Sequence, residues 1–327
     1  MPTSEPTSGS SAPRVNVLLT CAGEKSYLVE TFAASPRLGR LVATDGDPRA
    51  PIAGHAPVFR AVPPVAAAEA YLDALAELCR EHEIHLLLPQ NDRDLELLAG
   101  ARARFADLGT RIAGAAPETV RTSCDKLEVG SWLAEHGLAY PRTHDAAAGD
   151  SPLPAIVKPR FGQGSEGLRR ARTLADLADL PSDMVVQELV EGPEYNLDIL
   201  RGDNGVVAVV PKLKLAMRWG STHQAVAVDR PDLVELGVRL GDAVAHLGSI
   251  DVDLIDGERG PVVLDINPRI GGGFPFTALF CPAYVDALLA IGRGERPTPF
   301  LGRYRGGVRA TRELRFFVQP ASDTITR

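Results

Sequence analysis

An apolar segment near the C-terminal end of the chain carries three polar side chains at alternate positions. The segment reads Val-Val-Leu-Asp-Ile-Asn-Pro-Arg and spaces Asp265, Asn267 and Arg269 two residues apart. Side chains two apart on a strand project from the same face. We therefore expect these three in one cavity, with Leu264 and Ile266 packed against the opposite layer. A carboxylate and an amide oxygen suit Mg²⁺, and a guanidinium binds a phosphate or carboxylate through paired hydrogen bonds.

A second acidic strand precedes this one. Asp253 lies in the alternating segment Ser-Ile-Asp-Val-Asp-Leu of residues 249–254, and residues 256–260 form a glycine-containing turn. In an antiparallel hairpin of this length Asp253 faces Asp265. Either strand alone could be a charged surface edge. Together they predict a metal site of Asp253, Asp265 and Asn267, because carboxylates within an apolar run need a cation to offset their desolvation.

The composition argues against several classes of protein. The 327 residues are 45% hydrophobic and 24% charged, which is typical of a globular enzyme with two or three modules. A net charge of -7 without a long Lys/Arg tract argues against a nucleic-acid or membrane surface. The scattered cysteines lack metal-binding spacing and indicate reduced thiols in a cytoplasmic protein. Residues 1–13 lack the features of a signal peptide and are expected to be a disordered tail.

Strands and helices alternate in the first part of the chain. Residues 15–20 read as an apolar strand, residues 65–82 as a helix, and a further strand ends at Pro89. This order indicates a parallel, Rossmann-like α/β domain over residues 14–115, with ligands at the carboxyl ends of its strands. The polar or flexible residues at those ends are Gly23, Asp45, Asp47, Gln90, Asn91 and Asp92. Each could equally be an ordinary turn or helix-cap residue.

The middle of the chain is dominated by a glycine-rich loop. An apolar strand delivers Lys158 into Pro-Arg-Phe-Gly-Gln-Gly-Ser-Glu-Gly, which contains a G-x-G-x-x-G match. A dinucleotide fingerprint must open a helix, whereas a basic, strand-like segment follows here. A glycine-rich loop between two strands instead resembles the flap that covers ATP phosphates in kinases, although a plain flexible hairpin is the alternative. We assign residues 116–190 to a small lid subdomain that carries this flap.

Several motifs occur in an order that resembles the ATP-grasp superfamily. They are Lys126, Val157-Lys158-Pro159 with its flap, Gln187-Glu188-Leu189-Val190, Glu191-Gly192-Pro193-Glu194-Tyr195, Asp253 and Asp265-Ile266-Asn267-Pro268-Arg269. The similarity covers roughly residues 15–294 and is greatest to the carbamoyl-phosphate-synthase-like single-copy members, which include carboxylate–amine ligases. It implies an α/β protein with the ATP-grasp fold. Besides the N-terminal parallel domain and the lid, this fold has a mixed or antiparallel-sheet core, here residues 191–327.

The resemblance also implies roles for individual residues. The residues implied to bind the phosphates and form the flap are Lys126, Lys158, Gly162, Gly164 and Ser165. The residues implied to hold adenine and ribose are Gln187, Glu188, Leu189, Val190 and Glu194. The implied ligands of Mg²⁺, or of Mn²⁺ in its place, are Asp253, Asp265 and Asn267. Arg269 is implied to lie beside the reacting phosphoryl group.

Two departures from the family pattern bear on activity. The family usually has Glu where this chain has Asp265, whose shorter side chain reaches a metal but is less suited to bridging two ions. In carbamoyl phosphate synthetase a further arginine follows the Asn-Pro-Arg segment, whereas residues 270–276 here carry no such charge. The chain also shows neither a duplicated synthetase half nor a glutaminase module. Carbamoyl phosphate synthesis is therefore not expected.

The acceptor side of the reaction is expected between the hinge and the metal strands. Lys212 and Lys214 alternate on one face and could cradle an anionic substrate, or they could be solvated lysines on an edge strand. Arg218 and His223 follow in a loop that should face the metals, so we expect both to be catalytic residues and Arg218 also to bind substrate.

Three consecutive glycines follow the second metal strand. Gly271, Gly272 and Gly273 precede a predicted helix and could present backbone donors to a substrate carboxylate. A tight turn that lets the following phenylalanines pack is the alternative.

The chemistry that we expect is an ADP-forming ligation. The γ-phosphoryl group moves from Mg-ATP to a substrate carboxylate, and an amine then attacks the acyl phosphate to leave an amide or peptide bond. The expected partners are thus a small-molecule carboxylate and a small-molecule amine, with homodimer formation left open. One alternative is an ATP-grasp enzyme that stops at phosphoryl transfer or closes a ring within one substrate. The other is a nucleotide-binding sensor without catalysis.

Overall fold

The N-terminal part of the molecule is a parallel α/β domain. The computed structural model describes residues 12–146, 152–162, 167–218, 220–313 and 315–317. The strands of its first sheet are β1 (Val15–Thr20), β2 (Leu38–Asp45), β3 (Val58–Ala61), β4 (Leu86–Pro89) and β5 (Arg111–Ile112). The helices between them are α1 (Tyr27–Ala33), α2 (Ala68–Glu81), α3 (Asp92–Gly100) and α4 (Arg102–Ala106). All pairs are parallel in the order β3-β2-β1-β4-β5, which confirms the predicted domain type.

The sequence analysis misplaced the start of one helix of this domain and did not predict its short strands β3 and β5. Helix α2 begins at Ala68, three residues after the predicted start at Val65. Strand β3 was not predicted, because it has only four residues and none of them is fully buried. Its place in the sheet comes from pairing with β2, which sequence periodicity does not report.

The lid is a four-stranded antiparallel sheet. Its strands are β6 (Thr143–Asp145), β7 (Ala155–Pro159), β8 (Arg169–Ala171) and β9 (Met184–Glu188), in the order β6-β9-β7-β8. Helices α5 (Pro117–Cys124) and α6 (Glu128–Glu135) precede it. Antiparallel pairing of β7 with β8 makes the glycine-rich loop the connection of a hairpin, as expected for a flap rather than a dinucleotide fingerprint. Gly164 and Ser165 lie outside the described residues.

The core is a six-stranded antiparallel sheet. Its strands are β10 (Glu194–Gly202), β11 (Gly205–Arg218), β12 (Ser221–Ala227), β13 (Gly248–Gly257), β14 (Gly260–Asn267) and β15 (Arg309–Thr311). Its helices are α7 (Pro231–Val244), α8 (Phe274–Phe280) and α9 (Pro282–Gly292). The strand order is β14-β13-β10-β11-β12-β15, so β13 lies between β14, its hairpin partner, and β10, which is distant from it in the sequence.

Helices α8 and α9 join the core sheet to the N-terminal domain. Phe274 stacks on Phe32 of α1 with ring centroids 6.0 Å apart and meets Tyr284 edge-on at 5.8 Å. These rings belong to one buried cluster that also includes residues of β1 and β11. The cluster fixes the carboxyl end of β1 relative to the core sheet. Among the described residues no single helix is long and apolar enough to span a membrane, and only the bent pair α8–α9 reaches that length and composition together.

Candidate functional site

A cavity of about 820 Å³ lies between the N-terminal domain and the core sheet. It is lined by the loop after β1, parts of β10, β11, β13 and β14, the β11–β12 turn, the start of α8 and the segment after β15. Its volume falls within the range of ~300–1,000 Å³ that holds small-molecule ligands. The predicted site residues that line it are Glu194, Lys214, Asp253, Asp265, Asn267, Arg269, Gly272 and Gly273.

The predicted acidic strand pair forms one wall of this cavity. Asp253 on β13 is paired with Asp265 on β14, as the hairpin length predicted. The neighbouring pair is Asp251 with Asn267, so these four side chains share one face. Asn196 of β10 donates through Nδ2 to Asp251 Oδ1 and to Asp253 Oδ1, both at 2.8 Å. The wall is therefore a network of carboxylates and amides.

Asp251 is a site residue that the sequence reading did not single out. Burial raises the pKa of its carboxyl group above the usual range, and the nearby Asp253 and Asp198 act in the same direction. Asn267 Nδ2 lies 3.2 Å from Asp251 Oδ2. The spacing in the sequence could have identified it, because Asp251 lies two residues before Asp253 on the same strand and so shares its face.

A bulge in the hairpin corrects one packing prediction. The register shifts between Asp253, which faces Asp265, and Leu254, which faces Val263. Val263 is therefore 1% exposed and packs in the core, whereas Leu264 is only half-buried. Ile266 packs in the core as predicted. Strict alternation would have placed Leu264 there, but an extra residue in one strand reverses the faces beyond it.

Lys214 is the cation nearest to Asp253. Its Nζ lies 2.8 Å from Asp253 Oδ1 and 2.6 Å from Glu194 Oε1. Burial alone would lower the pKa of Lys214, but the two carboxylates outweigh burial and hold the pKa above its usual value. Burial would also raise the pKa of Asp253, yet Lys214 holds it below its usual value. Both groups are therefore charged at neutral pH.

Lys158 approaches the same wall from the lid side, and Lys126 contacts the glycine-rich loop. Lys158 Nζ lies 3.4 Å from the Leu264 carbonyl oxygen, and Lys126 Nζ donates to the Gly162 carbonyl oxygen at 2.8 Å. Burial lowers the pKa of Lys158 to about 8, with Asp265 opposing this shift and Lys126 adding to it. Lys158 thus remains mostly protonated at neutral pH and acts electrostatically on Asp265.

Arg269 lies at the end of the second acidic strand. Its Nε donates to Asp92 Oδ1 at 2.7 Å, and its Nη2 donates to Asn267 Oδ1 at 2.9 Å. Asp92 is one of the residues predicted at a strand end, and here it orients the guanidinium. The neighbouring Asn91 instead caps α3 by accepting from the Arg93 backbone N–H at 2.9 Å, which is the ordinary role left open for it.

The donor atoms of the acidic wall fit a hard cation. Asp253, Asp265 and Asn267 offer two carboxylates and an amide group, which is the oxygen chemistry of Mg²⁺ and Mn²⁺ sites. Asn196 Oδ1 is buried in the same wall without a hydrogen-bond partner in the described structure, and such an acceptor suits a cation. The described residues hold no group of three or more His, Cys, Asp or Glu side chains arranged for a metal, so the amide oxygens are needed.

Lys212 does not line the cavity, which corrects its expected contact with substrate. It is 1% exposed, forms an ion pair with Asp198 and hydrogen-bonds to Thr277. Alternation does place it on the face of Lys214, but α8 covers that part of the sheet.

Arg218 and His223 are not among the residues that line the cavity, and their catalytic role stays a prediction. Two irregularities between Lys214 and Met217 shift the register of β11. Met217 and Thr222 therefore reach the cavity in place of Arg218 and His223. The sequence contains no pattern that marks these irregularities.

The three glycines have different environments. A Cβ on Gly271 would lie 2.1 Å from Asp251 Oδ1, so only glycine allows this close approach. Gly272 and Gly273 line the cavity, and the Gly272 carbonyl oxygen accepts from Arg312. Carboxylate binding by this backbone stays a prediction.

The predicted adenine hinge connects the lid to the core. Gln187 Nε2 donates to Thr143 Oγ1 at 2.9 Å, Glu188 pairs with Arg142, and the Leu189 N–H donates to the Pro154 carbonyl oxygen at 3.1 Å. Strand β9 ends at Glu188, so Leu189 and Val190 belong to the connection rather than to the strand. Their contact with adenine stays a prediction.

Two parts of the cavity wall were missed by the sequence reading. One follows Gly23 in the loop after β1 and contributes Lys25 from this loop and Tyr27 from the start of α1. The other is the C-terminal segment, in which Arg312 lies over the Tyr27 ring at 5.4 Å from its centroid. Arg315 pairs with Glu30 of α1, and the segment thereby crosses from the core sheet to the N-terminal domain. Only the folded chain brings these residues to the acidic wall.

Comparison with known proteins gives matches to both parts of the chain. Residues 17–113 match the family described as PylC-like, N-terminal domain, and residues 123–273 match the ATP-grasp domain family. A 3-methyl-D-ornithine–L-lysine ligase of Methanosarcina mazei is 26% identical over 172 residues, which are 52% of this chain and 45% of that protein. The chain spans less than two thirds of the length of the curated relatives that it matches first.

Solved structures share the fold over most of the chain. The L-amino acid ligase from Bacillus licheniformis has a TM-score of 0.65 and 16% identity, covering 88% of this chain and 76% of that one. The biotin carboxylase domain of a Hydrogenobacter thermophilus 2-oxoglutarate carboxylase, solved with MgADP and bicarbonate, has a TM-score of 0.68 and 17% identity, covering 90% and 73%. At these identities the likeness concerns the fold alone.

Proposed function

The chain belongs to the ATP-grasp superfamily, and from this premise we propose that it is an ADP-forming ligase that joins a small-molecule carboxylate to an amine. The observation that carries the proposal is the pairing of Asp253 with Asp265 on a cavity wall that also presents Lys214 and Arg269. This wall combines metal-type ligands with cations, as phosphoryl transfer requires. The same cavity has room for further groups beyond the phosphates.

The nucleotide end of the cavity is assigned to the lid side. Lys158 contacts the acidic strand β14 from the lid, Lys126 contacts Gly162 at the start of the flap, and both would supply the positive charge that phosphates need. We assign the base and ribose to the hinge at residues 187–190 and to Glu194, which lines the cavity. A Mg²⁺ ion held by Asp253, Asp265 and Asn267 would supply neutralisation of the phosphate charge.

The chain's own cations act on the phosphoryl group as it moves to the substrate carboxylate. Arg269 is held in place by Asp92 and Asn267, so it presents its charge without reorganisation. Lys158 keeps its proton at neutral pH. Positioning and fixed charge supply the catalysis, because the acyl phosphate forms on the substrate and needs no protein nucleophile.

Amino-acid-like substrates are the class that we propose. The relative from Methanosarcina mazei is by name a 3-methyl-D-ornithine–L-lysine ligase, and one solved structure of the same fold is an L-amino acid ligase. The cavity near the β1 loop and the C-terminal segment contains a cation, Arg312, and apolar surface, including Leu279. Such a lining suits a molecule with a carboxylate and a partly apolar side chain.

The test is a screen of standard amino acids, offered singly and in pairs with Mg-ATP. The proposal predicts ADP release that needs both a carboxylate and an amine, and a product whose mass is the sum of the two less one water. ADP release from one substrate without condensation would favour phosphoryl transfer or ring closure. Nucleotide binding without ADP release in any pair would favour a sensor.

A further inference from the structure

Lys25 has an unusual place in the cavity wall. It lies in the loop between β1 and α1, lines the cavity and is only half-buried. Its Nζ donates to the Gln90 carbonyl oxygen at 2.6 Å and lies 3.4 Å from Gln90 Oε1. Gln90 is 1% exposed, and its Nε2 lies 3.3 Å from the Leu88 carbonyl oxygen, which fixes the amide with Oε1 toward Lys25.

This arrangement matches the hydrogen-bonding capacity of a neutral amine. An ammonium group has three N–H donors, whereas a neutral amine has two donors and one lone pair. Gln90 supplies two acceptors from one rigid residue. In the neutral form of Lys25 both N–H groups would have acceptors on Gln90, and the lone pair would remain free to accept a proton.

Burial is the main factor that favours the neutral form of Lys25. Burial lowers the pKa of Lys25 to about 7, and the guanidinium of Arg269 at the end of β14 acts in the same direction. Asp92 at the start of α3, Asp251 on β13 and Cys21 in the same loop act in the opposite direction. Catalytic lysines with a lowered pKa are usually found in sites that are shielded from water or that contain a second cation.

We propose that Lys25 is the base that accepts a proton from the amine substrate. This inference rests on the proposed ligase function. The amine enters as an ammonium ion and transfers one proton to Lys25 Nζ. Its freed lone pair attacks the carbonyl carbon of the acyl phosphate, the new C–N bond forms, and the C–O bond to phosphate breaks. The phosphate leaves with that electron pair and takes the second proton of the nitrogen, and Lys25 returns its proton to solvent.

The carboxylates of the cavity are less suited to this role. Asp253 is paired with Lys214, which keeps its pKa low. Both oxygens of Asp251 are already within hydrogen-bond distance of amide groups, those of Asn196 and Asn267. Lys25 lines the same cavity from the N-terminal domain, whereas Asp251 and Asp253 lie on the core sheet.

Hydroxylamine separates proton acceptance from all other functions of Lys25. It attacks acyl phosphates to give hydroxamates and is already unprotonated at neutral pH, so it needs no base. The experiment compares amide and hydroxamate formation from a mixture of standard amino acids with Mg-ATP, for the wild-type protein and Lys25→Met. Amide synthesis should fall roughly 100-fold or more, while most hydroxamate formation should persist.

Lys25→Arg is the second variant, because arginine keeps the positive charge but cannot accept a proton. It should be as impaired in amide synthesis as Lys25→Met. Wild-type amide synthesis should rise with pH and level off above about 7. Amide synthesis by both variants should instead keep rising with pH, because it then depends on the fraction of the amine substrate that is already unprotonated. Recovery of amide synthesis in Lys25→Arg, or equal loss of amide and hydroxamate in both variants, would overturn the assignment. A wild-type protein that forms neither product would instead contradict the ligase function itself.

Discussion

Asp253 and Asp265 face each other across the β13–β14 hairpin, on the wall of the cavity between the N-terminal domain and the core sheet. Two carboxylates placed opposite one another on neighbouring strands repel unless cations compensate them. In this protein Lys214 compensates Asp253 directly, and Lys158 acts on Asp265 from the lid side. The two carboxylates are therefore placed to attract cations, which is the basis of the proposed metal and phosphate chemistry.

Replacement of Asp265 tests the metal assignment. Asp265→Asn removes one negative charge and keeps the shape, so Mg²⁺-dependent ADP release should fall roughly 100-fold or more. Steady-state ADP release measures this, with a thermal melt to establish folding. Glu258→Gln, in the exposed turn of the same hairpin, is the matched control and should retain wild-type turnover. Wild-type turnover in the Asp265 variant would remove the metal assignment.

The close approach of Asp251 to Gly271 predicts that alanine lowers the free energy of unfolding at position 271 but not at the adjacent position 272. A Cβ at position 271 would meet Asp251 Oδ1 at 2.1 Å, whereas a Cβ at Gly272 has nothing within 4 Å. Gly271→Ala should lower the free energy of unfolding by about 1–3 kcal/mol through overpacking. Gly272→Ala should leave it nearly unchanged. Urea unfolding of both variants measures this, and equal stability would contradict the packing described for Asp251.

The placement of Lys212 predicts a structural rather than a substrate-binding role. Lys212→Met leaves the buried Asp198 without its cation and should destabilise the protein by about 3–5 kcal/mol. Adding Asp198→Asn to that variant should recover much of the loss, because the unpaired charge is removed. Denaturant unfolding of the two single variants and the double variant gives the coupling energy. A stable Lys212→Met protein with a raised KM would instead support the prediction that Lys212 contacts the substrate.

Asp94 predicts a pH dependence of stability within the N-terminal domain. Burial raises the pKa of its carboxyl group to about 6, although Thr20 and Tyr71 donate hydrogen bonds to it. The native state thus holds a proton that the unfolded chain releases near pH 4. Stability contributed by this group is full below about pH 4 and is lost as pH rises to about 6. Asp94→Asn should lack this decline relative to wild type in urea unfolding at a series of pH values, and parallel profiles would contradict it.

The sequence predicted the features that follow from regular alternation. The position of β1, the pairing of Asp253 with Asp265 and the hairpin around the glycine-rich loop all follow from local patterns. The failures lie where alternation breaks. Because of a bulge between β13 and β14, Val263 rather than Leu264 packs in the core. Two irregularities in β11 place Met217 rather than Arg218 at the cavity.

Other site features depend on contacts between distant parts of the chain. The lowered pKa of Lys25 arises from burial beside Arg269, which is more than two hundred residues away in the sequence. The position of Arg312 depends on the addition of β15 to the edge of the core sheet next to β12. A single sequence contains no local pattern for either relationship, so both required the folded structure.

The most direct test of the account follows the oxygen atoms of the substrate carboxylate. Amino acids labelled with oxygen-18 in their carboxylates are incubated with the protein, Mg-ATP and an amine, and the released phosphate is analysed by mass spectrometry. Because the carboxylate attacks the γ-phosphoryl group and its oxygen leaves with phosphate, each phosphate should carry one labelled oxygen. ADP release with unlabelled phosphate would contradict acyl phosphate formation. Label found in AMP would show that the intermediate is an acyl adenylate instead.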